Sequence, residues 1–361
     1  MSSAHTGGRA ASTGIGRRDV LATLAALGAG AMLPGAAASA QEPPRHRIDV
    51  HSHFFSPGWK RTEKARAAAG KGIALPVNQT WTVDKTLADM EKGGVTQAIL
   101  SLASVPDNWF GGDPRTAASL AHECNEYVVE LAGQHPGKFG YYCSLPMIDV
   151  EASLKEIEYG YGVMKCDGIG LCSSYGDKWP GDATFKPIFD ELNRRKAVVY
   201  FHPTTPNCCH NLIPGLNNNA MLEVPFDTSR AIVSLMVSGT FARCRDIKWV
   251  FAHSGGSLPS LAGRIDVFMK RRKDIAEIAP HGAMAEFERL YFDTANGAWA
   301  PSMAGLLKIV PFSQIMFGSD FPYFSTAMTA TGLERRGYGR AAMNEIDFAT
   351  AEQLMPRLRA L

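Results

Sequence analysis

The chain has almost no excess charge of either sign. In 361 residues, 37 Lys and Arg stand against 35 Asp and Glu. That leaves no basic field for a nucleic acid and no acidic tail. Cysteine is scarce, at 7 residues, so no disulfide scaffold carries the fold. No glycine-rich phosphate-binding turn follows the first strand-like run. No internal repeat exists, and no low-complexity tract beyond the N-terminal segment. Composition is globular, 45% hydrophobic and 20% charged. Global disorder, collagen and coiled coil are thereby excluded. What the chain has in quantity is Gly and Pro, 35 and 21 residues, which predicts many turns and elaborate loops.

Residues 1–40 read as a targeting segment. Gly16-Arg17-Arg18-Asp19-Val20-Leu21 opens an Ala/Leu/Gly run that reaches Met32-Leu33, and Ala38-Ser39-Ala40 follows. A positive start, a short apolar stretch and an A-x-A-like end make a secretory signal. The arginine pair resembles a twin-arginine export signal, which predicts a periplasmic protein. The apolar run is too short for a membrane span of ~20 residues, so no stable membrane insertion is expected after processing. The remainder, 41–361, is expected to form one catalytic domain.

Eight strand-like runs recur along that remainder: 47–53, 97–102, 139–145, 168–172, 197–202, 248–253, 290–293 and 314–318. Most are continuous apolar runs, as strands buried on both faces are. Helical spacing lies between them. Leu120, Cys124, Tyr127, Val128 and Leu131 share one face, as do Phe185, Ile188, Phe189 and Leu192. Ala231–Val237 is nearly all apolar and follows Asp227-Thr228-Ser229, which predicts a helix capped there. Eight βα units predict a (β/α)8 TIM barrel, an α/β fold; an open doubly wound sheet is the other arrangement. Long connections follow strands 1 (54–80), 5 (203–225) and 8 (321 onward), and long loops in compact domains usually bind or cover something.

The strands end on polar residues. Strand 1 ends in His51-Ser52-His53, strand 5 in His202, strand 6 in His253, strand 7 in Asp293 and strand 8 leads to Asp320. His51 and His53, two apart, point the same way. A lone histidine there is most often structural. Four of the ten histidines at the ends of strands 1, 5 and 6, with a carboxylate after strand 8, make a metal site. Imidazole with carboxylate suits Zn²⁺ with a coordination position left open.

The segments Asp49-Val50-His51-Ser52-His53, Phe201-His202-Pro203, Ala252-His253-Ser254-Gly255-Gly256 and Gly318-Ser319-Asp320-Phe321-Pro322-Tyr323 resemble the amidohydrolase superfamily. The narrower resemblance is to its aminocarboxymuconate-semialdehyde decarboxylase-like branch, which includes decarboxylases of hydroxylated aromatic acids. Cys124-Asn125-Glu126-Tyr127 and 226–231 extend the likeness over nearly the whole remainder. The resemblance implies His51, His53, His202 and Asp320 as ligands of one divalent metal, Zn²⁺ or else Mn²⁺. It implies His253 beside the reacting group, and Arg264 and Tyr323 as substrate contacts. Arg264 is supplied by a neighbouring subunit in some relatives, and a homodimer or higher homo-oligomer is expected. No lysine ends strand 4, since Lys165 precedes it, which favours a mononuclear site.

Read as residues, Asp320 can hold a metal and shuttle a proton, and His253 can donate to developing negative charge. Arg264 can clamp a carboxylate or merely form a surface salt bridge. Tyr323 can equally be a packed aromatic, and Asp293 a hydrogen-bond acceptor at the barrel mouth. His122 is expected to be structural. His210, Arg230, Trp59, Trp109 and Phe324 are weaker candidates for ligand contact. The expected activity is decarboxylation of a small hydroxyaromatic or enol-type acid. The alternatives are hydrolysis of a lactone, ester or amide by the same ligands, and a non-catalytic barrel.

Overall fold

The computed structural model describes residues 46–104, 113–206, 208, 213 and 220–360. One compact unit, Pro44–Leu361, carries all of them. The export segment, Trp109 and His210 lie outside the described residues.

Eight parallel strands pair in chain order: β1 (Ile48–His53), β2 (Gln97–Ser101), β3 (Phe139–Ser144), β4 (Gly168–Cys172), β5 (Val198–His202), β6 (Lys248–Phe251), β7 (Tyr291–Asp293) and β8 (Ile315–Met316). The segment after β8 returns to β1. Val50 N donates to Phe317 O at 2.9 Å, Asp320 N to His51 O at 2.8 Å and His53 N to Phe321 O at 2.8 Å. The result is the (β/α)8 barrel, with helices between the strands. All eight strands fall wholly within the runs read from the sequence.

Apolar runs on both strand faces separate into two clusters. The inner one fills the barrel with Ile48, Val50, Ile99, Tyr142, Tyr200, Val250 and Met316, joined by Met355 and Leu358 from the C-terminal end. Tyr142 and Tyr200 stack there with centroids 4.9 Å apart. The outer cluster, including Leu120, Cys124, Val128, Ile188, Phe189, Leu192 and Ile232, seats the helices on the strands. The helices Pro114–Gln134 and Lys186–Arg194 carry the faces read from their spacing. Five of the six described cysteines are buried and act as small apolar residues, while Cys208 is exposed. Among the described residues no helix is long and apolar enough to cross a membrane.

Two local expectations are corrected. The connection after β1 is not an open loop: Pro57–Ala68 is a helix, with Ser56 capping Trp59 N and Pro57 at its first position. The helix expected after Asp227-Thr228-Ser229 begins earlier, at Glu223. Those residues are therefore not caps. Asp227 is tied sideways to Ser173 Oγ and to Trp179 Nε1 (2.9 Å), Ser229 Oγ pairs with Ser257 Oγ (2.7 Å), and Thr228 Oγ1 bonds back to Val224 O.

Candidate metal centre

The strand C-terminal ends deliver their polar residues to one point. Ligand atoms of His51, His53, His202 and Asp320, all buried, lie within 4.8 Å of one another. Asp320 Oδ1 stands 3.2 Å from His51 Nε2, 3.0 Å from His53 Nε2 and 3.8 Å from His202 Nε2. The two strand-1 imidazoles meet edge to edge, Nε2 to Nε2 at 3.2 Å, as their spacing of two predicts.

Each ligand is aimed by its neighbours. His51 Nδ1 donates to Asp293 Oδ2 at 2.9 Å, which turns Nε2 to the centre. Asp293 is itself fully buried and pinned. Tyr200 Oη donates to Oδ2 (3.0 Å), and His253 N and Ala295 N donate to Oδ1 (3.0 and 2.9 Å). A carboxylate behind a histidine fixes its tautomer and raises its basicity toward a metal. His53 Nδ1 faces Ser101 O at 3.3 Å and Ser101 Oγ at 3.2 Å. Close approach sets the chain here. A Cβ on Gly318 would lie 2.9 Å from Asp293 Cβ and 3.0 Å from His51 Cβ, so only glycine passes between them. His253, Ser254 and Asp320 adopt left-handed φ of 56°, 54° and 69°. Such backbone costs on the order of 1–3 kcal/mol each and collects at functional sites.

The charges favour a cation. Burial pulls the His51 pKa down, but the carboxylates of Asp293 and Asp320 outweigh it and push it up to about 10. The protein alone thus places a positive charge between two carboxylates, and a divalent metal held by His51 Nε2 would take the place of that proton. Burial pulls His202 down to about 3, leaving it neutral with a free lone pair. Both of its ring nitrogens are buried without a hydrogen-bond partner. An orphaned buried imidazole is costly unless something binds it, so the donor set fits a divalent metal. Burial also pushes Asp320 up, yet His51, His202 and His253 hold its carboxyl well below the usual range.

His253 stands outside the four-ligand set. Its Nε2 faces the other oxygen of Asp320, Oδ2, at 3.3 Å, and Asn296 Nδ2 donates to that oxygen at 2.8 Å. Asn296 escaped the sequence reading, and its only signal was an Asn-Gly pair just after β7. Tyr323 packs on His53 with ring centroids 5.7 Å apart, and burial pushes its hydroxyl pKa up. Arg264 is exposed on the helix Leu258–Met269, its guanidinium 5.0 Å over the Phe268 ring, and it is not brought to the cluster within this chain. His122 bonds Glu156 at 3.1 Å, a structural contact. Arg230 lies 3.8 Å from both Glu223 and Asp227. Lys165 is exposed, and no lysine belongs to the described cluster. Trp59 is buried near the site and Phe324 is half exposed.

Comparison with known proteins agrees with this geometry. Residues 48–347 match the amidohydrolase family. The chain belongs to that family. Decarboxylase macB of Penicillium terrestre is 31% identical over 328 residues, covering 87% of this chain and 96% of the relative. The 6-methylsalicylic acid decarboxylase of Penicillium expansum is 30% identical over 321 residues, covering 87% and 98%. A dihydroxybenzoic acid decarboxylase from Polaromonas sp. JS666, solved with bound manganese, superposes with a TM-score of 0.73 at 19% identity, covering 86% of this chain and 97% of that one. That last likeness establishes the barrel of this amidohydrolase.

Proposed function

We propose that this amidohydrolase is a metal-dependent decarboxylase of a small hydroxyaromatic carboxylic acid. The observation that carries the reading is the four-ligand cluster in a chain about 30% identical, along nearly their whole length, to decarboxylases. When bound, a divalent metal supplies positive charge that polarises a carboxylate and a neighbouring oxygen. The protein does the rest. Asp320 is charged at rest, so it first takes a proton from water or from the substrate hydroxyl. It then delivers that proton to the ring carbon bearing the carboxylate. The bond to the carboxylate breaks, its electron pair stays with the ring, and CO₂ leaves. His253, on the free side of Asp320, donates to the oxygen that gains negative charge. Asn296 keeps Asp320 in place throughout. Metal-loaded enzyme offered hydroxybenzoates, lactones and amides is expected to release CO₂ from a hydroxybenzoate. Cleavage of a lactone or amide with no CO₂ from any acid, read by product mass, would replace the reading with hydrolysis.

Finer points belong to the same proposal. The resident metal is Zn²⁺, supported by three imidazoles and one carboxylate, with Mn²⁺ the competitor named for the Polaromonas structure. Metal analysis of protein purified without chelator decides between them. The working form is a homodimer or higher oligomer. Arg264 stands exposed beside Val267 and Phe268, 49% and 53% exposed, which supports a covered face and an arginine given to a neighbouring subunit's substrate. A monomer by light scattering at working concentration removes that part.

Export rests on Arg17-Arg18 and Ala38-Ser39-Ala40. Replacing both arginines with lysine is expected to hold precursor in the cytoplasm. Unchanged periplasmic enzyme on fractionation removes the twin-arginine route.

A further inference from the structure

A cavity of about 200 Å³ opens beside the metal centre, walled on its apolar side by Trp59, Leu75, Ala103 and Tyr323 and on its polar side by Glu63 and Asn78, with Arg66, Lys71 and Ser104 also in the lining. One ring joins the two places, since Tyr323 lines the cavity and packs 5.7 Å from His53. Ala103 lies two residues beyond Ser101, the residue that braces His53. The cavity thus flanks the C-terminal end of β1 at the barrel mouth.

Of its polar lining, only Glu63 and Asn78 are buried. Glu63 is 7% exposed and Asn78 2%. Asn78 Nδ2 donates to Glu63 Oε1 at 2.7 Å, and Gln79 Nε2 donates to Glu63 Oε2 at 2.7 Å. With both oxygens taken by amide donors, Glu63 acts as an acceptor alone and sets which way the Asn78 amide turns. Asn78 Oδ1 must then face away from Glu63, and it is buried with no hydrogen-bond partner. A buried orphan acceptor in the wall of a cavity is unusual enough to call for a donor.

We propose that Asn78 is a specificity-determining residue whose Oδ1 accepts a hydrogen bond from a hydroxyl on the part of the aromatic acid farthest from its carboxylate. The inference rests on the decarboxylase reading for the orientation of the ligand: carboxylate on the cluster, ring passing Tyr323, far edge in the cavity. Trp59 and Leu75 then clasp the ring, and Glu63 and Gln79 hold the acceptor still. An acid with a methyl group at that edge leaves the acceptor unpaired, whereas a hydroxyl satisfies it. Sites built to bond a hydroxyl reject the analogue lacking it far more strongly than apolar pockets reject an added group.

The test compares 2,4-dihydroxybenzoate with 2-hydroxy-4-methylbenzoate, which differ only at the position opposite the carboxylate. Binding to metal-loaded protein is read by calorimetry, and CO₂ release is read alongside. Wild type is expected to bind the dihydroxy acid about tenfold more tightly. Asn78→Leu is expected to bring that ratio to within about twofold, with metal content unchanged. Glu63→Gln, which lets the amide of residue 78 turn either way, is expected to fall between. It keeps the test open should Asn78→Leu fail to fold. A wild type without the preference, or variants that retain it in full, overturns the assignment. A ratio that collapses in the variants upholds Asn78 even where wild type releases no CO₂ from either acid, and the decarboxylase reading then falls if no hydroxybenzoate of the wider panel loses CO₂.

Discussion

His51→Ala combined with His53→Ala is expected to give a folded barrel with little metal and no measurable turnover. Two of the four clustered ligands are removed, and the survivors, His202 and Asp320, come from strands 5 and 8. Two donors hold a divalent ion far more weakly than four. The barrel should survive because the partners left behind are not orphaned. Asp293 loses the His51 imidazole but still accepts from Tyr200 Oη, His253 N and Ala295 N. An unsatisfied buried carboxylate would cost more than the ~1–3 kcal/mol of an ordinary orphan, and three remaining donors avoid that. The inner apolar cluster is untouched by either substitution. Metal content by elemental analysis, beside circular dichroism and CO₂ release, checks the result. Full metal occupancy in the double variant would remove the assignment.

The second large effect separates a catalytic centre from a passive metal site. Asp320→Asn keeps the shape of the side chain but loses the charge and the ability to carry the proton. Turnover at saturating metal is expected to fall at least ~10²-fold, the scale of general acid–base catalysis. Part of any loss in dilute metal would come from weaker binding, so saturation is required. His253→Asn serves as the companion. His253 faces Asp320 Oδ2 at 3.3 Å and lies outside the four-ligand set, so its variant should lose turnover while retaining most of its metal. Near-wild-type turnover in Asp320→Asn would eliminate the proton route. Metal loss in His253→Asn equal to that of the strand-1 variant would make His253 a ligand.

What the sequence determined by itself is the barrel and the identity of the cluster. Strands buried on both faces must be apolar throughout, so QAILS, VVYFH and KWVF announce themselves, and a polar residue ending such a run stands out. Parallel connection puts every such end at one mouth, so His51, His53, His202 and Asp320 converge from residues up to 269 positions apart. Asp293 was legible as an acceptor at the barrel mouth, but tertiary structure alone decided which partner each support reaches. Asp293 reaches His51 and Asn296 reaches Asp320 across different strands, and hydrogen-bond partners over such separations leave no periodic trace. The helix Pro57–Ala68 was hidden because its outward face is charged and only Gly58, Trp59 and Glu63 are buried, too few for an apolar stripe. The outward position of Arg264 depends on how the helix Leu258–Met269 is rotated on the barrel, and Glu63 becomes a brace for Asn78 only because two short helical segments pack against each other at the mouth.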